Sequence, residues 1–184
     1  MKTTQTQSPE QIAASAIERI LNYITFHPED RKLNLSSLGR SWTISVRLHQ
    51  ADQPRAVGAK GSHVRALTDL VNRIGRRAAI PISFRLLEPE VGKPERHAPF
   101  SGQEDWDHEG VRELASDICN SILKYPVEVT SFDGDDFNSN LEIAADIREP
   151  KEAIDDLGLI ITPLFNAIGK AQGRLLTVDL HSAQ

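Results

Sequence analysis

Two glycines separated by two residues, Gly58 and Gly61 in PRAVGAKGSHVRAL (54–67), form the stretch of this sequence best suited to chemistry. Glycine has no Cβ, so it reaches backbone angles closed to other residues and lets the main chain turn sharply beside a ligand. The residues that follow, SHVRALTDLVNRIGRR, carry Val64, Leu67, Val71 and Ile74 at helical spacing. A helix starting here presents unpaired amide N–H groups and the positive end of its dipole, which favours an anion. Lys60, beside Ala59 and between the glycines, adds a formal charge, and Arg55 and Arg65 flank the loop. Such a loop is built to hold phosphate. A G-x-x-G alone carries little weight in a chain with 11 glycines, so the neighbouring elements decide.

Upstream, SPEQIAASAIERILNYI predicts a helix, with Ser8 as cap, Pro9 in the first turn and Ile12, Ile17, Leu21 and Ile24 on one stripe. KLNLS and WTISVRLHQ read as two strands joined by a turn containing Arg40; Ile44, Val46 and Leu48 alternate with Ser45, Arg47 and His49. Asp52-Gln53-Pro54 looks like a helix start, which places the glycines between two helices. IPISFRLLE closes the unit as a further alternating strand, and its proline marks a strand start or an edge. Between this unit and the next, LEPEVGKPERHAPFSGQEDW is interrupted by three prolines and two glycines. The expected organisation is therefore a first unit over 1–87, a linker over 88–106 and a second unit over 107–184.

The order helix, strand, strand, short helix, G-x-x-G, helix, strand resembles K homology (KH) domains of the second, bacterial type. The stretch from Ala16 to Arg77 is similar to small bacterial single-KH RNA-binding proteins, including His27-Pro28-Glu29-Asp30 after the first helix and Val57-Gly58 entering the loop. The resemblance implies an α+β fold, each unit a three-stranded sheet covered by helices on one face. It also implies a clamp for about four nucleotides of single-stranded RNA, with bases laid over an apolar groove. It would put Gly58, Ala59, Lys60 and Gly61 at the phosphates, and Val57, Val64 and the face of Ile44, Val46 and Leu48 along or beneath the groove. Arg55 and Arg65 would lie beside the loop, and Arg40 in the family's variable loop. His63 could stack on a base or donate to a phosphate.

The second unit reads as a degenerate repeat. LTDLVNRIGRRAAIPISFRL (67–86) aligns without a gap on ITPLFNAIGKAQGRLLTVDL (161–180), with six of twenty positions identical. VRELASDICNSILKYP, VEVTSF and LEIAADI supply the matching helix and strands, and EPKEAIDDLG stands where the first copy has DQPRAVGAKG. That stretch is about two residues shorter, carries carboxylates and has no glycine before Gly158. Carboxylates repel phosphate, so RNA-binding residues are expected only in the first unit.

Charge divides the same way. Residues 1–90 hold 13 Lys and Arg against 8 Asp and Glu, and residues 91–184 hold 8 against 18, giving +5 and −10. The acidic unit is expected to serve protein interaction, self-association or packing inside the chain, or to shield the basic groove when RNA is absent. The main alternative is an assembly module whose KH fold no longer binds RNA. Nothing points to an enzyme: no Ser-His-Asp or Cys-His arrangement, no Walker loop and no histidine ligand spacing can be picked out. DGDDFNSNLE departs from a calcium loop, with Phe137 at the fifth position and no glycine at the sixth. The sole cysteine, Cys119, lies in an apolar helical stretch and reads as core. No metal or cofactor is expected. Neither a secretory signal nor a membrane-length apolar run is present, so the default location is cytoplasmic.

Overall fold

The computed structural model of the chain describes residues 7–89, 107–133 and 138–183. Residues 90–106 of the stretch expected as a linker, and residues 134–137 of the turn in DGDDFNSN, lie outside the described residues.

Helix α1 (Pro9–Ile24) starts where Pro9 fits the first turn and Gln11 Oε1 accepts the Ser8 amide at 3.1 Å. Strands β1 (Lys32–Leu38) and β2 (Ser41–Arg47) pair antiparallel from Lys32–Arg47 to Leu38–Ser41. Two residues close the hairpin, with Gly39 at φ +63°. The chain then forms α2 (Gln53–Val57), a 3-10 turn (Ala59–Gly61) and α3 (Ser62–Arg77), and returns as β3 (Ile82–Leu86), parallel to β2. A parallel neighbour needs a crossover, and here the helix–loop–helix carrying the glycines is that crossover.

The second half repeats the order with one helix fewer: α4 (His108–Ile122), β4 (Val127–Asp133), β5 (Asn138–Ala145), α5 (Lys151–Ala171) and β6 (Leu175–Ser182). Again the first two strands pair antiparallel and the last joins in parallel. The fold is α+β, with two three-stranded sheets of order β1-β2-β3 and β4-β5-β6.

Matching glycines show why the repeat has its particular identities. A Cβ on Gly75 would lie 2.5 Å from the Ile80 carbonyl oxygen, and one on Gly169 2.7 Å from the Leu176 amide nitrogen. In both copies the helix end is pressed against the chain turning into the last strand, and its glycine carbonyl accepts an amide from that turn, Ile80 at 2.9 Å and Arg174 at 2.8 Å.

α1 and α3 cover the first sheet, α4 and α5 cover the second, and the two helix pairs pack on each other. Ile17, Ile20, Leu67 and Leu70 therefore belong to the same apolar cluster as Leu114, Ile118, Leu164 and Phe165, all fully buried. Polar contacts stitch the seam as well. Arg19 pairs with Asp117, Arg73 with Asp156, Arg77 donates to the Asn120 carbonyl, and the Tyr23 hydroxyl donates to Asp107 Oδ2 at 3.2 Å.

Candidate functional site

The glycine loop bends because three of its residues take positive φ: Gly58 (+72°), Lys60 (+53°) and Gly61 (+79°). Gly58 ends α2, with its amide donating to the Pro54 carbonyl at 3.0 Å, and Gly61 is the N-cap of α3. No side chain caps α3 and its first turn holds no acid. The Gly61 and Ser62 amides donate to the Gly58 and Ala59 carbonyls of the 3-10 turn, no side chain claims the amides that follow, and Ala59 and Lys60 stand exposed just before the helix.

His63 fixes the loop from beneath. Its Nδ1 lies 2.7 Å from the Arg55 carbonyl oxygen, so the ring carries a proton there and donates it across the loop. The ring lies so close to Gly58 that a Cβ at that position would be 2.5 Å from His63 Cγ. Gly58 is therefore required by packing as well as by its backbone angle. Arg55 lays its guanidinium over the Phe26 ring, 3.7 Å from the centroid, which holds it beside the loop.

A buried carboxylate sets the position of α2. Asp52 is 0% exposed and its side chain accepts from the Phe26 and His27 amides, each at 2.9 Å, with His27 Nδ1 at 3.1 Å. Asp52-Gln53-Pro54 does begin a helix, yet the carboxylate points back to the α1–β1 connection instead of capping it. The sequence held no signal for this long-range use.

The structure brings Arg55, Val57, Gly58, Ala59, Lys60, Gly61, His63, Val64 and Arg65 into one continuous segment. Val64 is half-buried, with its Cγ1 3.8 Å from a Cβ built on Gly61, and Arg65 is exposed. Arg40 is not part of it. The hairpin turn holding Arg40 adjoins the start of β2, and Trp42 at that end donates to the Pro81 carbonyl just past the C-terminus of α3. The loop is at the other end of that helix, whose 16 residues span about 24 Å. Ile44, Val46 and Leu48 lie beneath the helices with at most 4% exposure, so they support the site without lining it.

The second half faces the loop through α5. Ile24, Arg55, Gly58 and His63 on one side and Ala167, Lys170 and Ala171 on the other enclose a cleft of about 430 Å³. None of the residues lining it is acidic. Among the described residues, the carboxylates that form ion pairs with the first half, Asp117 and Asp156, do so elsewhere along the seam.

The second copy has no such loop. α5 runs unbroken for 21 residues through Pro163, and Gly158 sits inside it with ordinary space around it. Cys119 is buried, and burial pushes its thiol up to about 12, which keeps it protonated and unreactive. Among the described residues no group of three His, Cys, Asp or Glu could hold a metal, and no helix is long and apolar enough to cross a membrane. No protein-family model matches the sequence, and no curated protein matches it either.

Proposed function

We propose that this chain binds single-stranded RNA through the loop from Gly58 to Gly61, in the manner of a type II KH domain. The observation that carries the reading is the loop's geometry: three positive-φ residues put the exposed Ala59-Lys60 tip directly before a helix N-terminus that no side chain caps. Its setting supports the reading, since the loop lies between the second and third strands of a three-stranded sheet, in the element order on which the resemblance rests. The second half, which lacks a loop, acts as the packing partner of the first. Few phosphates are touched, so affinity is modest, roughly 1–100 µM at physiological salt, and base preference is weak.

Fluorescence anisotropy of a labelled mixed-sequence RNA, at two salt concentrations, tests the proposal against the variant Ala59→Asp, Lys60→Asp. Both side chains are exposed and both glycines are kept, and aspartate tolerates the left-handed angle at position 60. Salt-sensitive binding by the parent and a loss of at least about tenfold in the folded variant are expected. A parent that does not bind, or a variant that binds equally well, overturns the proposal.

A further inference from the structure

The cleft beside the loop is asymmetric in a way the repeat makes visible. In the gapless alignment, Ala167, Lys170 and Ala171 of α5 occupy the positions of Arg73, Arg76 and Arg77 of α3. On α3 two of these arginines close the seam, Arg73 pairing with Asp156 and Arg77 donating to the Asn120 carbonyl. On α5 the corresponding two positions are alanines, Ala167 packed in the shared core and Ala171 half-buried, and a cleft lies beside them where an arginine at 171 would otherwise reach across. The third position keeps its positive charge.

We infer that RNA lies in this cleft with a backbone phosphate held between the glycine loop and Lys170, so that the second half supplies part of the binding site. The inference rests on the RNA-binding reading of the loop. Lys170 is exposed and no carboxylate among the described residues pairs with it. It shares the cleft with Arg55 and His63, while small residues on both walls, Gly58 and Ala59 against Ala167 and Ala171, admit a close backbone approach. Lys170 also stands in the last turn of α5, where a cation complements the helix dipole. That complementarity accounts for the charge on its own, and Ala167, 7% exposed, packs in the shared core; neither accounts for Ala171, the half-buried alanine that lines the cleft.

The test titrates labelled single-stranded RNA against the full chain, Lys170→Ala and Ala171→Arg, with Ala59→Asp, Lys60→Asp alongside and circular dichroism confirming the fold of each. Lys170→Ala should weaken binding roughly fivefold and lower the slope of log affinity against log salt by about 0.7, the share of one phosphate contact on a single strand. Ala171→Arg adds a charge at a half-buried position, so electrostatics alone would strengthen binding; weaker binding is expected because the side chain fills the cleft. If Lys170→Ala and Ala171→Arg bind like the parent while the loop variant does not, the composite cleft is wrong and the loop reading survives. If all three bind like the parent, both fall.

Discussion

Asp52 and Glu149 do the same task in the two halves. Each is a carboxylate buried to within 7% exposure at the entry to the crossover helix. Asp52 accepts the His27 amide and Glu149 Oε1 accepts the Tyr125 amide at 2.6 Å, and both accepting residues face the amide that precedes a proline, Pro28 or Pro126. Removing such an acceptor leaves N–H groups without a partner, which costs more than the bond itself contributes. Asp52→Ala should destabilise the chain by about 2–4 kcal/mol, since two amides lose their acceptor, and Glu149→Ala by about 1–2 kcal/mol. Urea unfolding of both variants measures the difference. Equal costs, or an Asp52 cost below about 0.5 kcal/mol, would remove these carboxylates from the account of the fold. Neither was legible in the sequence as a partner of a distant turn, because an acid before a proline looks the same whether it caps its own helix or reaches back 25 residues.

At the scale of elements the first half could be read almost completely, because each element carries its own period. Ile17, Leu21 and Ile24 follow the helix repeat in α1, Ile44 and Val46 alternate in β2, and the turn glycines punctuate them. α5 resisted the same reading. EPKEAIDDLG falls where the first copy has its loop, and an interior proline at 163 ordinarily costs about 3 kcal/mol of helix. Burial of Leu157, Ile160, Ile161, Leu164 and Phe165 outweighs that, at roughly 1.5–3 kcal/mol for each. The shorter stretch removes the bend, and one helix replaces two. In the first copy the bend depends on Gly58 and His63 together. Gly58→Ala should cost roughly 2–3 kcal/mol, part from the backbone angle and part from the collision with the imidazole. Gly61→Ala should cost only about 1 kcal/mol, since the nearest side-chain atom is 3.8 Å away. In a His63→Ala background the cost of Gly58→Ala should fall toward the backbone share alone, and thermal unfolding of the four proteins gives that cycle. A coupling near zero would mean the ring moves aside freely and does not hold the loop.

At the scale of the whole molecule, the charge split legible in the sequence becomes a division between two outer faces. The first sheet turns Lys32, Arg47 and Arg85 outward, and the second turns Glu128, Glu142 and Asp179 outward, the last two in register on adjacent strands. What composition could not reveal is that the helices between those sheets share one core. Each of α1 and α3 is amphipathic against its own sheet, and periodicity reports only that some face is buried, without saying how many neighbours bury it. The consequence concerns cooperativity. With Ile17 and Leu67 in one cluster with Ile118 and Phe165, neither half can open without exposing apolar surface on the other, so the chain should unfold in a single transition. Hydrogen exchange followed through urea should show protection in α1 and α5 lost at the same midpoint, whereas two separated midpoints would mean the halves fold independently. For the same reason residues 1–89 alone should not persist as a folded monomer: the helix faces that pack on α4 and α5 would either pair with a second copy or melt, and sedimentation at two concentrations distinguishes these results from a stable monomer, which would contradict the shared core.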